Sequence, residues 1–182
     1  MTLSITISWR CQKMSKAERI LEFAMNMELE ARDFYLDSIQ RVSRAETRGL
    51  LAPLAEWEKG HYDYLKEQKE SLAGTGEWDS DAPLPDEIKK GEKIVSDKKQ
   101  GAPTDPPLGE ASSDFSVLRM ALAIETDFAR FYSNAAESME DPKGKEILRM
   151  LSQWEGGHQD YINEQYKALH REFMGEMGFE PF

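Results

Sequence analysis

The segment Trp57-Glu58-Lys59-Gly60-His61 returns ninety-seven residues later as Trp154-Glu155-Gly156-Gly157-His158. That repetition limits the chain to folds assembled from two copies of one unit. The same offset pairs Ile20 to Leu72 with Val117 to Leu169 without a gap. It matches Ala24 with Ala121, Glu28 with Glu125, Phe34 with Phe131, Tyr35 with Tyr132, Leu51 with Leu148, Leu54 with Leu151 and Tyr64 with Tyr161.

Each copy reads as two helices. Ser15 followed by Glu18 makes a capping box, in which each side chain accepts from a backbone donor left over at a helix start. The first helix is expected to run from there to about Val42. Its inward stripe is Leu21, Ala24, Glu28, Ala31, Tyr35 and either Ser38 or Ile39, an amphipathic period with an acid where a leucine belongs. After a polar turn near Ser43 to Glu46, a second stripe carries Leu51, Leu54, Glu58, His61, Leu65, Gln68 and Leu72, and Gly74 and Gly76 end it. A third helix, from about Ser113 to Met139, turns Leu118, Ala121, Glu125, Phe128, Tyr132 and Ala135 or Ala136 inward. Asp141-Pro142 breaks the chain before a fourth, Lys143 to Glu172, with Leu148, Leu151, Glu155, His158, Ile162 and Gln165 inward.

Short connections make each pair antiparallel. Residues 74–112, with Pro83, Pro85, Pro103, Pro106 and Pro107, read as a long crossover containing a short helix within Asp86 to Lys99. Crossing the bundle is expected to let the third helix start from the same end as the first. The expected fold is all-α, a four-helix bundle over residues 15–172 of two helix pairs (15–73 and 113–172). Residues 1–14, with alternating Leu3, Ile5, Ile7 and Trp9, are expected to be an extension, a short strand or a packing arm, and 173–182 a tail apolar enough to dock.

The net charge of −11 and pI near 4.8 argue against nucleic acid or an anionic membrane as partner, since both reward basic patches. A single cysteine, Cys11, leaves no intramolecular disulfide and no multi-cysteine metal site, and points to the cytoplasm. No apolar run is long enough to span a membrane.

Residues three apart on a helix share a face, so Glu58 with His61, and Glu155 with His158, can reach one ion. Four carboxylates and two imidazoles set in apolar stripes are costly unless compensated. Two divalent cations balance Glu28, Glu58, Glu125 and Glu155, while neutral His61 and His158 add nitrogen ligands. Carboxylate with imidazole and no thiolate suits iron first, with manganese or zinc as other occupants.

With these residues in place, the chain resembles the rubrerythrin branch of the ferritin-like superfamily over roughly residues 15–172, through Glu28, Glu58-x-x-His61, Glu125 and Glu155-x-x-His158. The resemblance implies a ferritin-like bundle with two iron ions, one held by Glu28 and His61 and the other by Glu125 and His158, bridged by Glu58 and Glu155. It implies that Tyr35 and Tyr132 bond to ligand carboxylates. Two features depart from the branch. There are no cysteines for a rubredoxin iron site, so a separate electron-donor protein is needed, and Phe128 stands where the branch carries an additional Glu. The implied function is oxidation of the metal pair by hydrogen peroxide or dioxygen, in oxidative-stress defence. The rival is a non-catalytic, iron-handling role of ferroxidase type. The resemblance also allows a homodimer, since such bundles associate. Trp57 and Trp154 are expected to pack between helices or subunits, Asp63 and Asp160 to cap interhelical contacts, and His170 to stay outside the site.

Overall fold

The computed structural model describes residues 14–83, 85 and 111–176, and regular structure among them is entirely helical. The elements are α1 (Lys16–Arg41), α2 (Ala45–Thr75), α3 (Ala111–Ser138) and α4 (Pro142–Glu176). The alternating segment before Lys13, the helix expected within 86–99 and the docking tail beyond Glu176 lie outside the described residues. Among the described residues no helix is long and apolar enough to cross a membrane.

The ends follow local chemistry. Ser15 Oγ accepts from the Glu18 N–H at 3.1 Å, and Glu18 Oε2 accepts from the Ser15 N–H at 2.6 Å, which completes the capping box. Gly76 stops α2 at φ 80°, a left-handed conformation that glycine adopts without strain, while its N–H reaches Leu72 O at 3.0 Å. Pro142 occupies the first position of α4, where no N–H is needed, and Asp141 Oδ1 accepts from the Gly144 N–H at 2.7 Å. The start of α2 is capped from outside. Buried Asp114, in the first turn of α3, accepts from the Ser43 and Arg44 N–H groups at 2.9 and 3.0 Å.

α1 packs closely on α2 and α3 on α4. One apolar layer joins Leu50, Leu54, Phe115, Leu118 and Ile162; the other joins Leu21, Leu65, Ala136, Leu148 and Leu151. In each layer the early part of one helix meets the late part of its antiparallel partner, and the site lies between the layers.

The direction of α3 corrects the sequence reading. α3 begins at the α1–α2 turn, where Asp114 is bonded, and so runs antiparallel to α1 and parallel to α2. The reason is simple geometry. An antiparallel α2 has already returned the chain to the end where α1 starts, so a crossover spanning the bundle delivers it to the far end.

Of the two alternatives on α1, Ser38 is the buried one. Two further expectations change. On α4, Gln165 is exposed and Tyr166 with Leu169 faces the core instead. Asp63 also departs, because it pairs with Lys59 on its own helix rather than across helices. Beyond α2, Gln68 grips both backbone groups of Asp79, at 2.9 and 3.0 Å, and Trp78 lies over Gly144. A Cβ on Gly144 would fall 2.6 Å from the indole, so only glycine leaves room for that ring.

Candidate metal centre

The helices carry six polar side chains to one level of the bundle: Glu28 from α1, Glu58 and His61 from α2, Glu125 from α3, and Glu155 and His158 from α4. All six are buried. They get there because each replaces an apolar residue in a stripe, so folding that buries the leucines one turn away must bury the acids too.

His61 Nδ1 lies 3.1 Å from Glu155 Oε1, 3.4 Å from Glu58 Oε2 and 3.8 Å from Glu28 Oε2. His158 Nδ1 lies 3.2 Å from Glu125 Oε2, 3.3 Å from Glu155 Oε2 and 3.4 Å from Glu58 Oε1. Glu58 and Glu155 therefore turn one oxygen toward each imidazole. Glu28 lies by His61 and Glu125 by His158.

Ligand-capable atoms of Glu58, His61, Glu155 and His158 fall within 4.8 Å of one another, and this group could hold metal ions. Glu28 Oε2 and both oxygens of Glu58 and Glu155 are buried without a hydrogen-bond partner. Buried carboxylate oxygens are normally satisfied, because leaving one bare forfeits its hydration. Cations are the complement these oxygens lack, and an oxygen-rich set with two imidazoles fits iron, manganese or zinc.

Without ions, protons must serve. Burial, reinforced by the Glu155 charge, pushes the Glu28 carboxyl well above the ordinary carboxylate range. Burial likewise raises Glu125, to about 7, against the pull of His158. Glu155 goes the other way: burial opposes its ionisation, but the His61 and His158 imidazoles beside it hold its carboxyl below the usual range. Burial disfavours imidazolium at both histidines, yet the facing carboxylates raise His61 and His158 well above 6.5. The protons are thus shared over a set that has more acids than the histidines can neutralise.

Tyr35 donates to Glu125 Oε1 and Tyr132 donates to Glu28 Oε1, each across to the other helix pair. Both phenols are buried, which with the adjacent carboxylate keeps them protonated far above pH 10. Phe128 is buried in the apolar layer with Leu54 and Ile162, so no carboxylate enters the site from that position.

Sequence reasoning missed four contacts here. Trp57 stacks on His158 and Trp154 on His61, with ring centroids 4.9 and 5.3 Å apart, so the tryptophans sit against the site itself. The recurrence of Trp one residue before each Glu was the available signal. Gln159 Nε2 donates to the Glu125 carbonyl at 3.2 Å, and Asp114 caps the neighbouring turn; neither has a counterpart in the other repeat to mark it. His170 stacks near Tyr166 and Phe115, away from the six.

A family model described as a ferritin-like domain matches residues 16–168. A solved structure of a hypothetical protein from Pyrococcus furiosus superposes with a TM-score of 0.59 at 22% identity, covering 91% of this chain and 93% of that one. That likeness is one of fold. No curated protein matches the chain.

Proposed function

The chain belongs to the ferritin-like domain family, and on that premise we propose that it is a di-iron oxidoreductase of the rubrerythrin-like kind. Glu28 and His61 would hold one ion and Glu125 and His158 the other, with Glu58 and Glu155 bridging. The observation that carries this reading is that each of Glu58 and Glu155 directs one oxygen to each imidazole.

When bound, a redox-active metal pair supplies electrons in twos to hydrogen peroxide or dioxygen. The protein's part is to hold and insulate. Tyr35 and Tyr132 fix Glu125 and Glu28 by donating O–H hydrogen bonds to them, so each carboxylate keeps one oxygen for the site. The apolar layers on both sides exclude water and strengthen every electrostatic contact between them. Electrons come from a separate protein, since the chain's one cysteine cannot build a thiolate-ligated centre.

The test is to load the protein with Fe²⁺ under anaerobic conditions, count ions per chain, and add hydrogen peroxide or air while following the near-ultraviolet band of an oxidised iron pair. Two ions per chain, one burst without donor and repeated bursts with reduced rubredoxin are expected. Iron bound without a burst from either oxidant would hand the site to iron handling instead.

A further inference from the structure

Four rings neighbour one another in turn across the site in the order Trp57, His158, His61, Trp154. Successive centroids are 4.9, 5.0 and 5.3 Å apart, and successive planes lie within 23°, 2° and 25° of parallel. The inner rings are the imidazoles whose Nδ1 atoms face the carboxylates. The outer rings are half-buried indoles at the α2–α4 seam. Each indole is steadied edge-on by a tyrosine: Tyr161 at 5.1 Å from Trp57, and Tyr64 at 5.6 Å from Trp154, both at 67°. The stacking is crossed, since Trp57 shares α2 with His61 yet lies on His158 of α4. Next to Trp154, Gly156 and Gly157 have nothing within 4 Å of where a Cβ would stand, so the helix surface there is open.

A buried metal pair needs a route for electrons, because tunnelling slows steeply with the gap between donor and acceptor. Apolar layers close both ends of this bundle. Through the seam, by contrast, a single ring-to-ring contact separates a partly buried indole from a histidine of the site. Indole has the most extended and polarisable π-system of the side chains, and here its plane lies within 25° of the neighbouring imidazole's.

We propose that Trp57 and Trp154 are the electron-entry ports of the site, where an external one-electron donor such as an iron–sulfur or rubredoxin-type protein delivers its charge. The proposal rests on the reading that the six residues hold a redox-active pair. Two electrons enter per cycle, one at a time, each leaving an oxidised donor and lowering one ion from the +3 to the +2 state. No bond at the indole forms or breaks, and its N–H is retained.

The test separates ring from bulk, using Trp57→Phe, Trp57→Leu, Trp154→Phe, Trp154→Leu and the double variants, each checked for metal content. Cobalt(II) titration gives a readout independent of turnover. Indole emission should be quenched in the wild type, each single Phe variant should lose part of that quenching, and Trp78, docked over Gly144, should contribute none. Oxidised, iron-loaded protein is then reduced by rubredoxin or by dithionite. The double Leu variant should be reduced by rubredoxin roughly ten-fold more slowly than the wild type, the double Phe variant should recover much of the rate, and dithionite, small enough to enter elsewhere, should not discriminate. Should the double Leu variant lose metal, the Trp57→Met and Trp154→Met double variant, which keeps bulk without a ring, carries the test through the same rubredoxin-to-dithionite ratio. A ratio unchanged in a metal-replete double Leu or double Met variant overturns the proposal while leaving the metal pair intact. Failure of the wild type to take up iron or to cycle with dithionite overturns the underlying reading instead.

Discussion

The α1–α2 pair sets Glu28 3.8 Å from His61, whereas the α3–α4 pair sets Glu125 3.2 Å from His158, within hydrogen-bonding reach. The pairs also differ in residues outside the six. Gln159 binds the Glu125 carbonyl and Ser152 Oγ donates to Ala129 O at 2.8 Å, so α3 and α4 are tied side chain to backbone on either side of the site. Their counterparts in the first pair are Tyr62 and Ala55, and an alanine side chain has nothing to donate. Beside Glu125 the bulky Phe128 fills the layer, where the equivalent position beside Glu28 is Ala31. Two copies of one pattern have thus become a tighter and a looser half.

Metal should matter more than either half. At an ion concentration a thousand times the dissociation constant, binding stabilises by about 4 kcal/mol, so chelation should lower the melting point by roughly 10 °C. Equal melts for chelated and loaded protein would break the comparison at its root, since neither half would then be a metal position.

The shared acids should outweigh the unshared ones. Glu58→Ala or Glu155→Ala removes an oxygen from both imidazoles' surroundings and should empty the whole site, while Glu28→Ala or Glu125→Ala should empty only its own half. Ions counted per chain decide this, and two ions retained in Glu58→Ala would defeat the bridging assignment. Between the halves, Glu28→Ala should leave the tighter ion in place, giving a single high-affinity step in a titration.

The pH response sharpens the same contrast. Folded pKa values raised above the unfolded ones at Glu28, Glu125, His61 and His158 contribute stability that is present at low pH and lost as pH rises through them. For Glu125 that loss spans from the ordinary carboxylate range up to about 7. Glu155, with a lowered value, contributes in the opposite sense, losing stability as pH falls toward its folded value. The metal-free protein should therefore melt progressively lower between about pH 5 and 8, while the loaded protein, whose ions displace the same protons, should gain over that range. Parallel curves would show that metal and protons do not compete for these oxygens.

The smallest effect is expected at Gln159. Replacing it by leucine removes one hydrogen bond and should cost about 1 kcal/mol in a denaturant titration. The same change should bring the two ion affinities closer together. An unchanged difference between them would locate the asymmetry elsewhere, Phe128 being the next candidate.

Much of this was legible because helix periodicity is local. The stripe through Leu21, Ala24 and Glu28 fixes what faces inward, and Ser15 with Glu18 fixes where α1 begins. Longer extrapolation failed at Gln165, because α4 runs 35 residues and a straight stripe drifts from the seam as the helices wind about one another. The direction of α3 was beyond local pattern, since it depends on where α2 leaves the chain. The stacked indoles escaped too. A period places Trp57 one residue off the ligand face of α2, but only the approach of α4 decides that this residue meets His158.

The crossed contacts carry a consequence for heredity. Tyr35 serves Glu125 and Tyr132 serves Glu28, Trp57 covers His158 and Trp154 covers His61. Contacts exchanged in this reciprocal way have the form of those between two-fold-related copies, here within one chain. A half alone owns ligands whose supports belong to the other, so a change at any of these positions is felt by the sister copy. Gln159 bonds within its own half, to the Glu125 carbonyl, so a change there acts first on that half, whereas a change at one of the tyrosines or tryptophans acts first on the other.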